Sequence, residues 1–274
     1  MPQNSPPSIL RFENVTVSFG DEVALADVSF EAFEGESRVI LGAAGSGKTV
    51  LLKTALGLVR PDSGKVYAFG QEITAMPEAK LSEIRSRIGM LFQEGALFDS
   101  LNIEENVAYP LLNQKCIQCP PEQVRPRVAE ALDFVELGGT LEKFPSELSG
   151  GMRRRAAIAR AVVTQPPLVL YDSPTAGLDP ITAHTIVALV IKERDVSQTS
   201  ALIVTHRYQD GNLIANFRYN SQRGSLEPAR NGEGRHARTT FMVLKEGRLI
   251  FEGGQDRLEA DTDPYVRKFV KPRV

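Results

Sequence analysis

Apolar and polar residues alternate from Phe12 to Phe19 and again from Val23 to Phe30, with Gly20-Asp21 between the two runs. A period of two on either side of a tight turn predicts an antiparallel pair of strands. Ser37 to Leu41 reads as a buried strand that enters a glycine-rich turn, and a helix is expected to start where that turn ends. Between Gln93 and Gln165 the apolar spacing becomes helical, with breaks at Pro110 and Pro120-Pro121, which predicts an α-helical subdomain inserted into the core over about residues 93–165. Strands return at Leu168 and at Ala201. Strand-like and helix-like segments alternating in this way predict an α/β fold with a parallel sheet, preceded by an N-terminal antiparallel β subdomain.

Residues 218–240 break the rhythm, being rich in Arg, Asn and Gly with few apolar positions. They are expected to form a long exposed loop. Its arginines, Arg218, Arg223, Arg230, Arg235 and Arg238, are read as solvated in preference to contacts with acidic lipid headgroups or a partner. One domain over residues 8–252 and a C-terminal tail over 253–274 complete the expected organisation.

Composition narrows the classes of function. A hydrophobic content of 42% is ample for a buried core. The longest apolar runs, Pro167 to Tyr171 and Ala201 to Val204, fall far short of the roughly 20 residues that span a bilayer. Met1 to Pro7 has neither a basic start nor an apolar stretch, so no secretory signal is expected and a cytoplasmic location is. A net charge of -2 argues against a chain that neutralises nucleic-acid phosphates, and no nucleic-acid partner is expected. Cys116 and Cys119 form a CxxC without two further ligands in view, and are read as reduced thiols in a loop.

The chemistry is concentrated in a few segments. Gly42-Ala43-Ala44-Gly45-Ser46-Gly47-Lys48-Thr49 fits GxxxxGK[ST], follows a predicted strand and opens an apolar helix at Val50-Leu51-Leu52. Glycines let this backbone curl so that successive N–H groups and the helix N-terminus face phosphate oxygens. Lys48 then reaches the β and γ phosphates and Thr49 ligates Mg²⁺, so a nucleoside triphosphate is the expected ligand. Leu168 to Asp172 is a buried strand ending in a carboxylate, the complement that holds Mg²⁺ through its water shell. Leu148-Ser149-Gly150-Gly151-Met152 precedes a basic helix, Arg153 to Val163, and makes a second helix N-terminus suited to phosphate.

At this segment the chain resembles the ATP-binding cassette (ABC) family, whose LSGGQ signature binds the γ-phosphate of ATP held by the opposite subunit. The resemblance runs over nearly all of residues 8–252. Phe19 matches the aromatic that stacks on adenine, Gln93 the Q-loop glutamine, Gly177-Leu178-Asp179 the D-loop and His206 the switch histidine, in family order. Taken singly, Phe19 is also an ordinary strand aromatic, and Gln93 and His206 are ordinary polar residues at strand ends. The resemblance implies a P-loop NTPase core that takes ATP and Mg²⁺ between two copies of the chain. Nucleotide contacts are then expected from Phe19, from the loop Gly42, Ala43, Ala44, Gly45, Ser46, Gly47, Lys48, Thr49 and Val50, from Asp172, and from Ser149, Gly150, Gly151 and Asp179. The metal is expected at Thr49, Gln93 and Asp172, and the reaction at Gln93, Ser173 and His206.

Within the family, Met90 to Leu101, Glu105 to Leu111, and Met152 in place of the signature glutamine look like the Mla/Mce-type ATPases that move phospholipid or sterol. That likeness implies a dimer beneath a multispanning permease, peripheral on the inner face of the cell membrane, with an Mce-domain lipid-binding protein on the far side. Two features depart from the family. The residue after the metal-binding aspartate, where the family has glutamate as general base, is Ser173, and a serine hydroxyl cannot take a proton from water near neutral pH as a carboxylate can. Slow turnover is expected, with a hydrolysis-deficient, ATP-dependent dimerising regulatory subunit as the alternative. The other departure is the 218–240 insertion after the switch histidine.

Overall fold

A computed structural model describes residues 6–114, 116–229 and 238–270. Two long strands, β1 (Ser8–Phe19) and β2 (Glu22–Phe33), pair antiparallel around the Gly20-Asp21 turn, with the rings of Phe12 and Phe30 stacked at 4.8 Å. A small meander of β4 (Ser63–Ala68) and β5 (Gln71–Glu72) extends them into a sheet ordered β2-β1-β4-β5. The second sheet is ordered β12-β11-β3-β8-β7-β6. Its parallel strands are β3 (Ser37–Leu41), β6 (Ile88–Leu91), β7 (Leu168–Asp172), β8 (Ser200–Thr205) and β11 (Thr239–Lys245), and β12 (Arg248–Gly253) closes one edge antiparallel.

Every residue of β3, β7 and β8 is buried, as apolar runs in a sheet covered on both faces must be. The two-residue period divides them between two cores. Val39, Leu41, Val169, Tyr171 and Ile203 pack with the helical side, while Ile40, Leu170, Leu202 and Val204 pack against the antiparallel sheet. That second core also takes α1 (Lys48–Ala55) and α2 (Glu78–Arg85). The helical subdomain holds α3 (Ile103–Asn113), α4 (Pro121–Phe134) and α5 (Gly150–Val162). Asn102 and Glu105 form a capping box that fixes the start of α3, and the break expected at Pro110 does not occur, because the helix runs through Pro110 to Asn113. Cys116 and Cys119 are free thiols between α3 and α4. Two further helices, α6 (Pro180–Ser197) and α7 (Tyr208–Asn216), flank the helical face of the large sheet.

The segment expected as an exposed loop over 218–240 differs. Its first part is a hairpin of β9 (Phe217–Asn220) and β10 (Ser225–Pro228), and its end already belongs to β11, where Thr239 pairs with Ser37. The polar residues satisfy one another: Arg218 donates to Glu227 at 2.7 Å through Nη2, Asn220 donates to the same carboxylate, and the main chain of Tyr219 donates to Asp195 on α6 at 2.7 Å. Arg223 lies 3.7 Å from Glu227, and the carbonyl of Arg238 accepts from the Ser37 amide. Arg230 and Arg235 lie outside the described residues. The expected tail also differs, because residues 255–270 fold into α8 (Gln255–Glu259) and α9 (Pro264–Val270). Leu258 and Val266 are each 1% exposed and peg these short helices to the main core.

Candidate functional site

The strands of the parallel sheet end along one edge, and the loops that leave them carry the polar residues. In an open α/β sheet ligands bind outside these carboxyl ends. β3 runs into the loop Gly42 to Gly47 and then α1; β6 leads to Gln93; β7 ends at Asp172-Ser173; β8 is followed by His206. A cavity of about 1180 Å³ opens there. Phe19, Ala43 to Gly45, Gly47 to Val50, Gln93, Ser173 and His206 line it, whereas Gly42, Ser46 and Asp172 are buried and do not.

The loop's shape depends on two glycines. Gly47 has φ +98°, and a Cβ there would lie 2.2 Å from the carbonyl oxygen of Ala24, so no other residue fits. At Gly42 a Cβ would meet the carbonyl of Leu244 at 2.6 Å, which holds the loop close to β11. Lys48, first residue of α1, folds back so that Nζ donates to the carbonyl of Ala43 at 2.6 Å and to Ser46 Oγ at 3.1 Å. Burial lowers its pKa, and the Asp172 carboxylate works in the opposite direction. The ammonium is thus held inside the curl of backbone amides, where an anion would meet both.

Asp172 is 3% exposed, and its two oxygens accept from Thr49 Oγ1 at 2.9 Å and from Ser173 Oγ at 3.2 Å. A hydroxyl, a carboxylate and the nearby amide of Gln93 are the hard oxygen donors that suit Mg²⁺. Ser173 adopts φ +50°, anchored by its amide donating to the Val204 carbonyl at 2.9 Å, and its hydroxyl takes the position of a donor toward Asp172. At the far end Phe19 is 54% exposed, an open ring beside the loop.

Ser149, Gly150, Gly151 and Asp179 are brought together by the starts of α5 and α6, and none of them lines this cavity. Ser149 caps α5, its Oγ accepting from the Met152 amide at 3.2 Å. Asp179 caps α6, with Oδ1 accepting from the amides of Ile181 and Thr182 at 3.0 Å each, and hydrogen bonds from Thr182 hold its carboxyl below the usual range. A Cβ on Gly151 would come within 2.6 Å of Thr182 Cγ2, so the first turns of α5 and α6 lie side by side. The chain therefore presents a cavity lined by the glycine-rich loop and, outside that lining, an exposed helix N-terminus at Ser149 and Gly150.

Over residues 25–176 the chain matches the family described as ABC transporter. The chain belongs to the ABC transporter family. Its fold is that of an ABC cassette, and it is the ATP-binding subunit of such a transporter. The cassette is 32% identical over 268 residues, 98% of this chain and 90% of the other, to the intermembrane phospholipid transport system ATP-binding protein MlaF of Escherichia coli (strain K12). It is 40% identical over 264 residues, 96% of this chain and 69% of the other, to the probable ribonucleotide transport ATP-binding protein mkl of Mycobacterium leprae (strain TN). Among solved structures, the dimeric post-hydrolysis state of the ATP-binding cassette MJ0796 bound to ADP and Pi superposes with TM-score 0.73 at 29% identity, covering 90% of this chain and 98% of that one. A nucleotide-free cassette from an ABC transporter gives TM-score 0.74 at 26% identity over 97% and 100% of the two chains. Among the described residues of the cassette, no helix is long and apolar enough to cross a membrane.

Some of the cavity wall has no motif. Arg207 and Tyr208 extend it beyond His206, and Tyr265, Lys268 and Phe269 enter from α9. The Tyr265 hydroxyl accepts from the Ala43 amide at 3.1 Å, so the C-terminal helix braces the first turn of the phosphate loop. An aromatic-basic cluster in seven residues was the only signal of this in the sequence.

Proposed function

We propose that this cassette takes Mg-ATP between two copies of itself and drives a separate membrane permease that moves phospholipid. Similarity to the phospholipid-transport protein MlaF over 98% of this chain and 90% of that one carries the lipid reading. In support, Phe98, Tyr109 and Leu112 leave an apolar surface exposed after Gln93, with Leu112 at 64%, suited to receive a short helix of a membrane partner. The cassette then works as a peripheral subunit on the cytoplasmic side, with an Mce-domain lipid-binding protein as a further member of the assembly.

In this reading Phe19 stacks on adenine. The amides of residues 43–50 and Lys48 hold the phosphates, and Thr49, Gln93 and Asp172 hold Mg²⁺. The metal ion, when bound, offsets the charge of the β and γ phosphates. Ser149, Gly150, Gly151 and Asp179 of the second copy close the site over the γ-phosphate, consistent with their lying outside the cavity lining of a single chain. Gln93 and His206 orient the attacking water. Ser173 supplies no base, so hydrolysis is slow and the ATP-bound dimer long-lived.

The test of cargo is reconstitution. The complex purified from membranes through a tag on this chain is placed in vesicles, and transfer of a fluorescent phospholipid to acceptor vesicles is followed with and without ATP. ATP-dependent lipid transfer is expected, with none of a radiolabelled ribonucleotide. Nucleotide uptake without lipid transfer would replace the lipid reading with the ribonucleotide transport for which mkl is named.

A further inference from the structure

Helix α5 does more than present Ser149 and Gly151 at its N-terminus. One turn in, the side chain of Arg154 is 8% exposed, and its guanidinium is spent on main-chain carbonyls of two separate loops. Nη1 donates to the carbonyl of Phe92 at 3.1 Å and to that of Gln93, and Nη2 donates to Ala176 at 3.4 Å. Gln93 and Ala176 both line the nucleotide cavity, whereas Arg154 does not. Six residues on, Arg160 continues the row, donating to the carbonyls of Gly95 and Ala96 at 2.8 Å each. Gly95 and Ala96 have φ +81° and +50°, so the backbone after Gln93 takes an unusual path that these two arginines hold against α5.

A buried guanidinium is costly unless its donors are satisfied, and its planar fork of five N–H groups is the one side chain that bridges several acceptors on two loops at once. We propose that Arg154 is a positioning residue for the ATPase: it ties the signature helix to the Gln93 loop and to the loop that follows Asp172-Ser173, so that the Gln93 amide reaches the metal in register with the helix. The inference rests on the metal role proposed for Gln93. Arg154 touches neither nucleotide nor metal and acts through the main chain of its two loops.

The test uses the full chain and four variants, Arg154→Ala, Arg154→Lys, Gln93→Ala and the Arg154→Ala/Gln93→Ala double. Mn²⁺ serves as the metal, with half-saturation of the ATP-bound protein read by electron paramagnetic resonance, and ATP affinity is measured separately in EDTA. Each Arg154 variant and Gln93→Ala is expected to raise the Mn²⁺ half-saturation about tenfold, the range typical for residues that orient a metal ligand. Affinity for metal-free ATP is expected to stay within about twofold, since the phosphate loop is untouched, and the double variant is expected to be no worse than the worse single one. Arg154→Lys keeps a buried cation and supplies the measurement should the alanine variant fail to fold; a single ammonium cannot span both loops, so it also loses metal affinity. Wild-type metal affinity in the Arg154 variants, additive losses in the double, or an equal loss for metal-free ATP would each overturn the proposal. No change in Gln93→Ala would remove the metal role of Gln93 and this inference with it, whereas a loss in Gln93→Ala alone would remove only the role of Arg154.

Discussion

Lys48→Ala is expected to weaken ATP binding about 100-fold while leaving the circular dichroism spectrum unchanged. The ammonium sits inside the curl of the phosphate loop, bonded to Ala43 and Ser46, so in the complex it exchanges these two neutral acceptors for a triphosphate. Charge-assisted hydrogen bonds contribute roughly 1.5–3 kcal/mol each, and about 2.7 kcal/mol is a hundredfold in affinity. The side chain lies at the start of α1, while Leu51, Leu52 and Ala55 of that helix do the packing against the antiparallel sheet, so the fold does not depend on it. Titration with a fluorescent ATP analogue reads the effect. Unchanged affinity in a folded variant would dismiss the assignment of the loop.

Ser173→Glu is expected to raise steady-state ATP hydrolysis by the permease-bound complex at least about tenfold, because a positioned general base is worth about 10²- to 10⁴-fold in rate. Ser173 stands beside the Asp172 carboxylate, donating to it at 3.2 Å, and its hydroxyl cannot take a proton from water near neutral pH as a carboxylate can. The left-handed backbone at φ +50° strains glutamate and serine alike, and the anchoring bond to Val204 is made by the main chain, so the substitution leaves the loop in place. In the proposed complex Lys48, Thr49 and Asp172 hold the phosphates and the metal without a base, so ATP affinity is expected to fall at most modestly, through repulsion between the new carboxylate and the γ-phosphate. Phosphate release with and without the substitution is the measurement. A wild-type rate typical of transport ATPases, with no gain from glutamate, would show that another group serves as base and would end the reading of a slow, hydrolysis-deficient subunit.

How much of this was legible depended on whether a segment's structure is decided locally. Val39-Ile40-Leu41 is an unbroken apolar run because both faces of β3 are buried, and it is followed by a loop whose glycines are imposed by close backbone approach, so strand, turn and helix start were all readable. Phe19, Gln93, Ser173 and His206 each stand at the end of a strand, where singly they are ordinary residues, and they were readable as candidates through the family resemblance and their order along the chain. The β9–β10 hairpin was not. It has few apolar residues, and its order comes from Arg218 and Asn220 closing on Glu227 and from a main-chain bond to Asp195 on another helix. Nor was α9, which is too short to establish a helical period and is held by the buried side chain of Val266 and by the Tyr265 hydroxyl on the Ala43 amide. Arg154 was visible only as one of several arginines in a basic helix, since what distinguishes it is where its neighbours in space lie.

The exposed helix N-terminus lies outside the lining of the cavity in one chain, and the central claim is that a second copy brings the two together over ATP. Sedimentation velocity with and without Mg-ATP tests this most directly, run on the wild type and on Ser149→Arg. Ser149 is exposed and its hydroxyl makes one capping bond, so the substitution costs α5 only about 1 kcal/mol while placing a bulky side chain where the γ-phosphate would sit. The wild type is expected to shift from monomer to dimer on adding Mg-ATP, and Ser149→Arg to remain monomeric while binding ATP as tightly as the wild-type monomer. A wild type that stays monomeric at saturating Mg-ATP, or a Ser149→Arg variant that dimerises as the wild type does, would contradict the arrangement.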